Sequence, residues 1–111
     1  MIIPESVRIG SMDYKVIITD EILLVNHEEC YGKIEYGNHA IKIKKDFQDV
    51  QGMESTLLHE IMHGITHERN FVYDRNDDET ITQQLAKGLH QLIKDNPNMF
   101  LKGWLSDRHT K

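Results

Sequence analysis

The chain has 111 residues, 13 basic and 18 acidic side chains, a formal charge of −5, and 39% apolar residues. That length holds one domain, residues 1–111, and excludes a barrel enzyme or a cofactor domain joined to a substrate domain. The composition excludes a disordered chain, and the acidic balance argues against a broad nucleic-acid-binding face.

Residues 7–9 and 14–19 are β-branched and aromatic, with turn residues Gly10, Ser11, Met12 and Asp13 between them, which predicts two strands. Residues 21–27 hold Ile22, Leu23, Leu24 and Val25 in a run that fits a short buried helix or a strand. Residues 33–36 and 40–44 alternate with period two around Gly37-Asn38, a hairpin with Ile34, Tyr36, Ile41 and Ile43 on one face. After the breaker Gln51-Gly52 the period becomes helical. Residues 53–69 place Leu57, Leu58, Ile61, Met62 and Ile65 on one face. Residues 79–95 repeat the pattern with Ile81, Leu85, Leu89, Leu92 and Ile93, with Asp77 and Asp78 at the start and Asn96-Pro97 at the end. Phe100, Leu101, Trp104 and Leu105 predict a short apolar helix folded back on the rest. Strands followed by helices give an α+β domain: a small antiparallel or mixed sheet packed against helices.

Cys30 is the only cysteine, so no internal disulfide forms. No apolar run approaches the ~20 residues of a membrane span. Residues 1–5 lack the basic start and long apolar stretch of a signal peptide. The expectation is a cytoplasmic protein with neither membrane nor nucleic acid as partner.

Seven histidines are many for such a chain, and His59, His63 and His67 fall within nine residues. His59-Glu60-Ile61-Met62-His63 is an HExxH sequence inside the more regular helix. Residues four apart on a helix share a face, so two imidazoles reach one zinc ion at about 2.0–2.1 Å. The glutamate beside the first histidine is placed to take a proton from a zinc-activated water and deliver it to a leaving amine. On a helical wheel the apolar residues centre roughly 130° from the His59–His63 stripe, so core packing does not explain the histidines.

A catalytic zinc site wants three protein ligands and an open position. Glu79 is the preferred third ligand. It opens the next helix, and a helix–loop–helix return brings it back to the metal. Its stripe includes Gln83, Ala86 and His90, and Ala86 is small enough for close helix approach. Asp78 and Asp77 are alternatives. His67 is a weaker one, because on a straight helix it sits about 12 Å along the axis from His59. His90 lies too far along its helix from Glu79, and His27, His39 and His109 have no partner spacing. Tyr31, Tyr36 and Tyr73 suit packing better than oxyanion stabilisation. The hairpin of residues 31–45 is a candidate edge for holding an extended substrate by strand addition.

Thr56-Leu57-Leu58-His59-Glu60-Ile61-Met62-His63-Gly64-Ile65 resembles the zinc-binding helix of the zincin metallopeptidases. The wider pattern is similar to small phage and mobile-element proteins of the ImmA/IrrE family. It comprises Gly32-Lys33-Ile34, Ile41-Lys42-Ile43, Glu79, Leu85-Ala86-Lys87-Gly88-Leu89 and Asp95-Asn96-Pro97, and covers residues 31–97. The resemblance implies a zinc-dependent peptidase, a hydrolase with His59, His63 and Glu79 as ligands and Glu60 as base. It implies action on a phage or mobile-element regulatory protein in the host cytoplasm. Two departures stand out. No helix-turn-helix domain is attached, and Gln83 stands where many such enzymes carry an aspartate that orients a histidine. The alternative expectation is a zinc-stabilised regulatory or interaction protein with weak or no turnover.

Overall fold

The structure is a computed structural model and describes residues 3–69 and 78–95. The expectations for Tyr73, Asp77, Asn96-Pro97, His109 and the apolar segment 100–105 lie outside those residues.

Strands β1 (Ser6–Ile9) and β2 (Met12–Thr19) form an antiparallel hairpin with Ile9 opposite Met12. The turn is therefore only Gly10-Ser11, tighter than the four turn residues expected, and Gly10 has φ 59°, a conformation its missing Cβ makes inexpensive. The ambiguous run resolves as β3 (Leu23–Val25), which pairs antiparallel with β4 (Glu28–Cys30) in a separate two-stranded ribbon. Asn26 and His27 between them both have positive φ, 53° and 68°, as a two-residue mirror-image turn requires. Sequence reading did not anticipate β4, because Glu28 and Glu29 break the apolar alternation that marks a strand.

Strands β5 (Gly32–Glu35) and β6 (Ala40–Lys44) form the expected hairpin, with Ile34 opposite Ile41 and Glu35 opposite Ala40. The loop spans four residues, and its left-handed position is His39, φ 49°, rather than the glycine. Strand β6 also pairs in parallel with β2, from Lys15 opposite Ala40 to Thr19 opposite Lys44. The sheet order β1-β2-β6-β5 makes β6 interior and leaves β5 at one edge. Its strands are thus mixed, and the chain is α+β with two described helices.

Helix α1 (Val50–Glu68) begins three residues earlier than its apolar period suggests. Asp49 caps it, its Oδ1 accepting a 2.7 Å hydrogen bond from Gly52 N, so Gly52 sits in the first turn and does not break the helix. Ile9, Tyr14, Ile41, Ile43 and Leu57 form the buried cluster between sheet and α1, with Val16, Ile34, Met53 and Ile61 packed around it. Helix α2 (Asp78–Asp95) turns Thr82 and Ala86 inward, each 1% exposed. Leu85, expected on the apolar face, is 47% exposed. The face that packs is the one running through Glu79, Gln83, Ala86 and His90, because α2 docks on the polar side of α1. There His90 Nε2 lies 3.1 Å from the buried Glu54 Oε1, and Lys94 Nζ donates to Gln51 Oε1 at 3.2 Å.

Candidate metal centre

Helix α1 carries His59, Glu60 and His63, and α2 carries Glu79 in its first turn. Both helices are needed to bring these groups together. His63 Nε2 lies 2.5 Å from Glu79 Oε1, His59 Nε2 lies 3.4 Å from Glu79 Oε2, and the two Nε2 atoms are 3.1 Å apart. One ligand atom from each residue lies within 4.8 Å of the others. Ligand bonds of 2.0–2.1 Å around a tetrahedral ion place donor atoms about 3.3 Å apart, close to two of these separations.

The orientation of His59 supports the same reading. Its Nδ1 contacts Gln83 Oε1 at 2.5 Å. An amide oxygen only accepts, so Nδ1 carries the hydrogen and Nε2 presents its lone pair to His63 and Glu79. Converging acceptors of this kind suit a shared cation. Gln83 thus makes, as a neutral amide one turn after Glu79, the contact for which the resemblance implied an aspartate.

Glu60 projects to the side of the histidine stripe, against the β5 edge. It is 8% exposed, and its pKa is pushed up to about 7. Burial is the larger cause and the Glu79 charge adds to it, while hydrogen bonding from the Ile34 backbone pulls the value back down. Gly32 makes this approach of helix to strand possible, because a Cβ there would overlap the Thr56 methyl group and touch Glu60 Cγ.

The alternative ligands are placed elsewhere. His67 is exposed and stacks on Tyr36, ring centroids 3.8 Å apart and planes 17° apart. Asp78 is half-buried at the start of α2 and is not one of the three converging groups. The Tyr36 hydroxyl donates to the His63 carbonyl at 3.3 Å, and burial, with the nearby Glu60 charge, raises its pKa to about 12. Tyr36 therefore packs and braces α1. Sequence reasoning missed this contact and the Glu54–His90 pair, since both join residues 27 and 36 positions apart with no local pattern.

These groups line a cleft of about 920 Å³ that runs between β5, the β3–β4 ribbon and the helices. Its walls include Val25, Tyr31, Ile34 and Tyr36. Just before β5 the Tyr31 carbonyl accepts from Lys44 N at 2.8 Å, so Tyr31 and Lys44 face each other as a bonded pair. Antiparallel alternation then turns the main-chain groups of Gly32 and Ile34 away from β6, toward the open edge.

No protein-family model, curated protein or solved structure matches this chain.

Proposed function

We propose that the chain is a single-domain zinc-dependent peptidase with His59, His63 and Glu79 as metal ligands and Glu60 as general base. The observation that carries the reading is the convergence of the three donors from two helices beside the buried carboxyl of Glu60. When bound, zinc supplies Lewis acidity, polarising a carbonyl and making a nearby water more acidic.

The protein's own residues do the rest. Glu60, buried against β5 next to His59, is placed both to accept a proton from the attacking water and to return it to the leaving amine. Gln83 holds His59 in the tautomer that offers Nε2, and Tyr36 braces the His63 turn. The outward carbonyls of Gly32 and Ile34 offer acceptors to an extended peptide laid along β5, while the Ile34 N–H is already given to Glu60. In keeping with the family resemblance, the substrate is a regulatory protein of a phage or mobile element.

Metal analysis and peptide hydrolysis test this together. The expected results are one zinc per chain and measurable proteolysis, both lost in His63→Ala, with zinc retained and hydrolysis lost in Glu60→Gln. Unchanged hydrolysis in Glu60→Gln would overturn the mechanism. Stoichiometric zinc with no hydrolysis of any protein or peptide would favour the zinc-stabilised regulatory protein, a reading to which the neutral Gln83 contact lends weight.

A further inference from the structure

A second pocket of about 320 Å³ adjoins the metal cleft. Glu29, Cys30 and Tyr31 line both, and Lys44 and Phe47 complete the smaller one. Lys44 ends β6 on the face opposite the core isoleucines, where the β3–β4 ribbon covers it, and its side chain is only 5% exposed.

Its ammonium is poorly partnered for a buried charge. Among the described residues its contacts are the Glu21 carbonyl at 3.5 Å, Glu29 Oε1 at 3.8 Å and the Phe47 ring, 5.7 Å to the centroid. Charge-assisted hydrogen bonds measure about 2.7–2.9 Å, and an ammonium has three hydrogens to give. Burying a cation with such loose contacts is costly unless a better anion arrives. Two of the contacts come from pocket walls, Glu29 and Phe47, so the ammonium lies between those walls.

The walls show what the anion carries with it. Phe47 is 81% exposed and its backbone has φ 67°, a conformation costly for a bulky side chain, so the fold presents an apolar ring to solvent beside the pocket. Tyr31, 55% exposed, supplies a second aromatic wall. An anion on a short apolar stem fits this combination. Glu29, with its side chain 59% exposed, sits where that anion would go and is free to swing into solvent.

We propose that this pocket is a subsite for a carboxylate of the peptide held in the metal cleft, with Lys44 as the cation and Glu29 as the group it displaces. The placement rests on the peptidase reading. Tyr31 leads directly into β5, so a peptide added along that edge passes the pocket at its Tyr31 end. The carboxylate is either that of an acidic side chain or that of a peptide C-terminus.

Three small probes distinguish these sources in titrations of the purified protein, followed through the backbone amide NMR signals of residues 29–33 and 44–48. N-acetyl-glutamate with its C-terminus amidated carries the side-chain carboxylate alone. N-acetyl-glycine carries the terminal carboxylate alone, and N-acetyl-glutamine amide carries neither. One of the first two should shift the signals saturably, and the third should not. Lys44→Met should weaken the response by about tenfold or more, while the exposed Glu29→Gln, which leaves the fold undisturbed, should strengthen it. Equal response to the uncharged probe, or weaker binding in Glu29→Gln, would overturn the proposal. Neither result depends on metal or turnover. Carboxylate binding without peptide hydrolysis upholds the anion site and sinks the peptidase reading. Hydrolysis that does not distinguish glutamate from glutamine peptides and free from amidated termini sinks the subsite and leaves the peptidase reading standing.

Discussion

The properties of Glu60 follow from its burial. A water-exposed carboxyl ionises near pH ~4.3, whereas Glu60 is held up at about 7 by desolvation and by the charge of Glu79. A carboxyl whose pKa rises on folding contributes stability fully below its unfolded value and loses it as pH climbs through the folded value. The metal-free protein should therefore lose roughly 3 kcal/mol from this group between about pH 4.5 and 8. Urea denaturation of metal-free wild type and Glu60→Gln at both pH values checks this, since the variant should gain relative stability by that amount at the higher pH. A constant difference would show that Glu60 is not desolvated. Thr82 gives a second residue-scale case. Its hydroxyl is buried without a hydrogen-bond partner among the described residues, and the side chain is 1% exposed. Replacing an unsatisfied buried hydroxyl by a methyl removes a desolvation cost of ~1 kcal/mol or more, so Thr82→Val should raise the denaturation midpoint. A lower midpoint would reveal a hidden partner. The sequence exposes His59, Glu60 and His63 through spacing alone, but the pKa of Glu60 is not written there, because it depends on β5 lying against that side of α1.

At the scale of elements, the site depends on how closely α1 approaches β5 and how α2 lies along α1. Gly32 sets the first distance, since a Cβ would collide with the Thr56 methyl. Gly32→Ala should cost about 1–3 kcal/mol by overpacking and weaken metal binding as α1 is pushed from the strand. Thr56→Ser removes that methyl while keeping the hydroxyl that donates to Gln48 Oε1 at 2.9 Å, so the double variant should recover much of the loss. A double-mutant cycle by thermal denaturation and zinc titration measures the coupling, and simple additivity would rule the close approach out as the cause. The second alignment is secured by Ala86, Thr82 and the His90–Glu54 contact. Burial raises the Glu54 pKa, but its hydrogen bonds, that with His90 among them, leave it lowered overall. Losing His90 would leave a buried carboxylate with fewer partners, and His90→Ala should cost about 1–3 kcal/mol by the same denaturation assay. The periodicities predict α1 and the β5–β6 hairpin well, because each buries a regular stripe, and they locate α2 as a helix. They mislead at Leu85, where the polar side of α2 is the packed one.

For the molecule as a whole, metal and fold are expected to be one thermodynamic system. The three converging donors join α1 to α2, and a ligand that binds only the folded form at 100 times its Kd adds about 2.7 kcal/mol. Removing zinc with a chelator should lower the thermal midpoint by roughly 10 °C or more, with recovery on adding zinc back. No shift would mean that these residues hold no metal. No described helix is long and apolar enough to cross a membrane, and the molecule carries a formal charge of −5. Local order was legible in the chain: period two in residues 33–36 and 40–44, period 3.6 after residue 53, and two histidines one helical turn apart beside a glutamate. These are interactions between near neighbours, and spacing suffices to express them. The three-dimensional fold alone decided the parallel pairing of β2 with β6, the ribbon over Lys44, the meeting of Gln83 with His59 and the arrival of Glu79 beside both histidines. Each joins segments far apart in the chain, and only the shared burial of a core between sheet and helices brings such segments into register.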